Sequence, residues 1–120
     1  MINQQVYEKL KEVARRRGMH GDGIITYTEL NEECNLNLNY DVIKDRNEIA
    51  HILGEISKEE YKNNRPLLSA VVVLKGSHPP VPAFGFFNLM EELKLRKKGE
   101  SKNIFFVKEL VRVQDYWRNR

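Results

Sequence analysis

The stretch Leu67 to Lys75 (LLSAVVVLK) constrains this chain more than any other. It is nearly all apolar, rich in valine, preceded by Arg65-Pro66 and followed by Gly76 to Pro82 (GSHPPVP). Such a run reads as a well-buried strand. Two adjacent prolines cannot sit inside a sheet, so the segment after it predicts a rigid, exposed connection. Ala83-Phe84-Gly85-Phe86-Phe87 then reads as a short return strand that completes a hairpin.

The remaining segments are helical in pattern. Asn3 to Arg17 places Val6, Leu10, Val13 and Ala14 on one face, with Gly18 as its stop and Gly21-Asp22-Gly23 as a loop. Thr26 and Glu29 have capping-box spacing at the start of a second helix, in which Tyr27, Leu30 and Cys34 form a narrow inward stripe. Asp41 to Asn64 carries the strongest helical period, through Val42, Ile49, Ile52, Leu53 and Ile56. Asn88 to Lys98 reads as a fourth helix with Leu89, Met90 and Leu93 inward. Ser101 caps a fifth, striped by Phe106, Leu110, Val113 and Trp117.

Helix, helix, helix, strand, exposed loop, strand is the order of a winged helix. The expected fold is α+β: a winged helix-turn-helix (three helices plus a short β-hairpin, residues 1–87) followed by two C-terminal helices as an appendage (88–120). The length of 120 residues suits one domain, 1–120, and not two independent cores.

Composition excludes several classes. Cys34 is the single cysteine, which rules out an intramolecular disulfide framework and a cysteine-based zinc site. No apolar run approaches the roughly 20 residues that span a bilayer, and MINQQVYEKL lacks a signal-peptide core, so a cytoplasmic protein without a membrane partner is expected. His20, His51 and His78 are scattered, and His20-Gly21-Asp22-Gly23 lacks the further carboxylates of a calcium loop. Ser69 and Ser77 have no evident base, and the Glu91-Glu92 carboxylates diverge on a helix surface. No catalytic residue, metal, cofactor or small-molecule substrate is expected, and the chain does not read as an enzyme.

The net charge of +3 hides an asymmetry. Residues 1–20 carry five positive and two negative charges, residues 32–63 four positive and eight negative, and residues 90–120 nine positive and five negative. The middle is acidic and both ends are basic. Arg15-Arg16-Arg17 and Arg96-Lys97-Lys98 each close a helix, where cations also complement its C-terminal end.

Two patches carry a resemblance. Ile25-Thr26-Tyr27-Thr28-Glu29-Leu30 is similar to the opening of the helix-turn-helix in O6-alkylguanine-DNA alkyltransferases and alkyltransferase-like proteins. Arg65 to Gly76 lies where that family has its active-site strand and turn. The chain also resembles small bacterial proteins with an "itYgel…rPLLSaVVV…GFF" pattern. The resemblance implies a winged-helix core over roughly residues 5–76. It also places Leu68 at the nucleophilic cysteine, Ser69 at its activating histidine, Ala70 at an arginine, and Ala50 near the arginine finger. Alkyl transfer needs a thiolate beside a base, so the resemblance implies a shape without that chemistry.

On this reading the chain is a non-enzymatic nucleic-acid-binding protein of a regulatory kind. Lys44, Arg46, Asn47 and His51 would face the bases, Tyr27 and Thr28 would lie near phosphate, and Lys75, Ser77 and His78 would form the wing. Asp45, Glu48, Glu55, Glu59 and Glu60 on the same helix oppose phosphate. The alternative is a protein-interaction module that uses the winged helix as scaffold and the last helix as interface. Phe105, Val107, Val111, Tyr116 and Trp117 would then meet a protein partner or a second copy, because that helix has more large apolar residues than one face can hide.

Overall fold

Asn3 opens the first helix, α1 (Gln4–Arg15), by accepting the Val6 N–H on its side chain at 3.1 Å. Val6, Leu10, Val13 and Ala14 are buried, as their spacing predicts. The computed structural model describes residues 2–16, 23–77 and 79–120. The expected helix stop at Gly18, the His20-Gly21-Asp22 turn and His78 lie outside them.

Strand β1 (Ile25–Thr26) leads directly into α2 (Tyr27–Glu33). The capping box is formed: the Glu29 N–H donates to Thr26 Oγ1 at 3.2 Å, and the Thr26 N–H to Glu29 Oε1 at 3.0 Å. Tyr27, Leu30 and Cys34 point inward. The long α3 (Ile43–Lys62) buries Ile49, Leu53 and Ile56, while Val42 precedes the helix and is exposed.

The segment expected as a strand is mostly something else. Leu68–Val71 is a 3-10 helix, and only Val72–Val73 extends, as β2. The physical reason lies in its hydrogen bonds. Glu109 Oε2 accepts the Leu67 N–H at 2.7 Å, Ser57 Oγ accepts the Ser69 N–H at 3.0 Å, and the Leu67 carbonyl accepts the Ala70 N–H at 3.1 Å. Side chains from other elements satisfy this buried backbone, so it needs no neighbouring strand. β2 pairs with β1 in parallel, Ile25 opposite Val72 and Thr26 opposite Val73.

The expected hairpin is likewise reduced. The chain returns antiparallel to β2 only through residues 81–83, with a bridge from Val73 to Pro82 and bonds Leu74 N–H to Val81 O and Ala83 N–H to Val72 O. Gly85, at φ +95°, then turns it into α4 (Phe86–Glu92), so Phe86 and Phe87 are helical and not part of a return strand. α4 also ends earlier than expected, at Leu93, before Lys94 at φ +55°.

Ser101 caps α5 (Lys102–Arg118), accepting the Ile104 N–H at 3.1 Å. Phe105, Phe106, Val113 and Trp117 join α1, α3 and the 3-10 segment in one apolar core. α5 is thus a wall of that core. Among the described residues the architecture is α+β: five α-helices, one 3-10 helix and a two-stranded parallel sheet. No helix among the described residues is long and apolar enough to cross a membrane.

Candidate nucleic-acid interface

Tyr27 occupies the first position of α2, with its ring tilted against Tyr40 at 4.4 Å between centroids. It is buried, and its enclosed hydroxyl has no hydrogen-bond partner among the described residues. Burial, followed by the charge of Asp45, Tyr40 and Asp41, raises its phenol above the usual range. Beside it opens a groove of about 330 Å³ lined by Tyr27, Thr28, Asn31, Asn39, Asp41 and Lys75, among others. Three residues expected near phosphate thereby meet at one place. Thr28 and Lys75 are exposed there. Asn31 gives its carboxamide oxygen to the Leu38 N–H at 3.0 Å, which leaves its amino group as a donor.

The expected readers on α3 divide. Lys44, Asn47 and His51 are exposed on one face of the helix. His51 pairs with Glu55 one turn on. Arg46 is turned away from that face: its Nε donates to the Tyr40 carbonyl at 2.9 Å, and its guanidinium lies 5.2 Å from the Tyr40 ring and 5.7 Å from that of Phe84. It joins the α2–α3 connection to the start of α4 and is not a free base reader. Tyr40, whose hydroxyl accepts the Phe84 N–H at 2.9 Å, is the residue that sequence reasoning missed. It closes the asparagine-rich stretch Asn35 to Tyr40, and nothing local marks its ring as the link between Tyr27 and Arg46.

A second groove, of about 380 Å³, runs between α3 and α4, with Asn47, His51, Lys58, Asn88 and Glu92 on its rims. Gly85 permits the close approach at its floor: a Cβ there would lie 2.9 Å from the Cβ of Ala50. Gly54 faces the same groove, and a Cβ on it would meet nothing within 4 Å.

The residues expected at a partner interface also divide. Phe105 and Trp117 are 8% and 7% exposed and belong to the chain's own core. Tyr116 is half-buried, under the Arg120 guanidinium at 3.8 Å. Val107 and Val111 are 53% and 57% exposed, and Ile104 at 53% extends their stripe.

Cys34 is buried, and burial pushes its thiol up, away from the reactive thiolate. Ser57 and Ser69 bond to each other at 2.7 Å in the core. Among the described residues no cluster of three or more His, Cys, Asp or Glu is placed to hold a metal ion. No protein-family model, no curated protein and no solved structure matches the chain.

Proposed function

We propose that this chain is a non-enzymatic nucleic-acid-binding protein, with α2 and α3 as a helix-turn-helix and the β2 return as a short wing. The observation that carries the reading is the convergence of Tyr27, Thr28 and Lys75 on one groove, which the α2–α3 connection also lines through Asn39, Tyr40 and Asp41. The exposed Thr28 hydroxyl and Lys75 ammonium are donors to a phosphate oxygen, and the buried Tyr27 ring forms the wall behind them. Lys44, Asn47 and His51 then lie toward base edges. The connection between the two helices, residues 34–42, is longer than the turn of about 3–4 residues in common helix-turn-helix motifs, and the Tyr40–Arg46 contact braces it. Asp41, Asp45 and Glu48 border the surface, so the affinity is modest and strongly salt-dependent.

The test is fluorescence anisotropy with a labelled duplex of about 20 base pairs. Lys44→Glu/Lys75→Glu is expected to weaken binding by about tenfold or more, since each position exchanges attraction for repulsion. Undiminished binding removes this face from the reading. Arg46 is left intact, because its loss would disturb the fold.

The exposed stripe Ile104, Val107 and Val111 favours a second reading, a protein-interaction module. Sedimentation over a concentration series tests it: association abolished by Val107→Glu/Val111→Glu supports a second copy on this stripe. A monomer at all concentrations removes self-association.

A further inference from the structure

We infer that the connection between α4 and α5, residues 93–101, together with Lys102, is a second phosphate-contacting surface, so that a nucleic-acid backbone is held at both ends of α3. This rests on the nucleic-acid reading above and adds to it a surface outside the segment covered by the resemblance.

Between residues 94 and 102 stand Lys94, Arg96, Lys97, Lys98 and Lys102 against one carboxylate, Glu100. Glu100 is already occupied: its Oε2 takes Lys108 at 3.0 Å and its Oε1 the Lys97 N–H at 3.3 Å. Arg96 pairs with Glu91 at 3.0 Å and donates to the Glu100 carbonyl. Lys94, Lys97, Lys98 and Lys102 are exposed and form no ion pair with any described residue.

Two contacts place this surface. α4 lies along α3 in the same direction, with Gly85 against Ala50 at its start and Glu92 paired with Lys58 at 2.8 Å at its end. The chain therefore leaves α4 beside Lys58. Lys44, Asn47, His51 and Lys58 share one face of α3, and Lys44 and Lys58 are about 21 Å apart at 1.5 Å per residue. Glu48 and Glu55 lie between the two ends on the same face, while Glu59, Glu91 and Glu92 lie at the Lys58 end, where Glu92 is taken up by Lys58 and Glu91 by Arg96. Phosphates are repelled from this middle and attracted at its ends, which divides the contact into two clusters about six base pairs apart, at about 3.4 Å each.

The partner is nucleic acid and not an acidic protein. Protein interfaces are depleted in lysine and depend on buried aromatic or apolar anchors. Leu95, between Lys94 and Arg96, is partly buried against the core and offers no exposed anchor; the exposed Ile104 that follows Lys102 belongs to the Val107–Val111 stripe of α5. Phosphate contact needs only the charges.

The experiment uses the full chain and the same duplex, titrated between about 50 and 200 mM salt. Each phosphate contact adds about 0.9 to the slope of log affinity against log salt. Lys97→Gln/Lys98→Gln is expected to reduce that slope by about 2 and to weaken binding at low salt by about tenfold, with an unchanged melting temperature. Lys44→Gln/Lys75→Gln is expected to lose a similar amount independently. If the connection variant keeps the wild-type slope and affinity while the Lys44/Lys75 variant loses both, this inference is overturned and the α3 reading stands. If the wild-type protein does not bind, both fall.

Discussion

Glu109, on the fifth helix, accepts the backbone N–H of Leu67 at 2.7 Å, deep in the core. The same carboxylate takes Arg112 Nη1 at 2.6 Å on its other oxygen, so both oxygens of a 3%-exposed acid have a donor. The bond ties α5 to the start of the 3-10 segment, which would otherwise bury an unsatisfied amide.

Removing that acceptor strands a buried N–H and also leaves a void. Glu109→Ala is expected to cost about 2–4 kcal/mol in urea unfolding. Glu109→Gln keeps an oxygen for Leu67 and is expected to lose less than half as much. Equal losses in the two variants would show that the charge, and not the acceptor, matters.

Two glycines should respond in opposite directions. Gly54 lies mid-helix with space around it, so Gly54→Ala is expected to stabilise by about 0.5–1 kcal/mol. Gly85 has φ +95° and no room for a Cβ, so Gly85→Ala is expected to destabilise by about 1–3 kcal/mol. Thermal melts of the two variants should bracket the wild type.

Tyr7 sets an alkaline limit. Its hydroxyl donates to Glu60 Oε1 at 3.0 Å, and Arg65 reaches the same oxygen at 2.8 Å. Burial, then the Glu60 hydrogen bond and charge, push the phenol from 10.0 up to about 12. A folded value above the unfolded one means that the folded state holds the proton more tightly. The resulting stability is complete below pH 10 and declines as pH rises through about 12. Melting temperatures between those limits should fall more steeply for the wild type than for Tyr7→Phe.

Tyr27→Phe separates fold from function. The hydroxyl is buried without a partner, so its removal is expected to leave stability unchanged or raise it by about 1 kcal/mol. Binding to duplex DNA should be unchanged, because the enclosed hydroxyl is out of a phosphate's reach. A loss of about tenfold would show that the groove opens to bring the hydroxyl into contact.

Helix faces and caps were readable because their causes are local. Thr26 with Glu29, and Ser101 with the Ile104 N–H, act over three residues, and Val6, Leu10 and Val13 share a face by helical period alone. Lys44, Asn47 and His51 were readable as exposed for the same reason. Arg46 was not: its partners, Tyr40 and Phe84, are brought to it by the turn at residues 34–42 and by Gly85.

Residue order therefore dictated the capped starts of α2 and α5 and the buried side of α1, since those choices depend on neighbours three or four positions away. It could not dictate the state of Leu67 to Lys75. A run buried on every side carries no period, and its amides could have paired with a strand or with side chains. Tertiary packing chose the side chains, bringing Ser57 from 12 residues away and Glu109 from 42. The same packing made α5 part of the core and gathered Tyr27, Thr28 and Lys75 around one groove. Contacts between segments so distant in the chain leave no local pattern, because their geometry exists only once the core has closed.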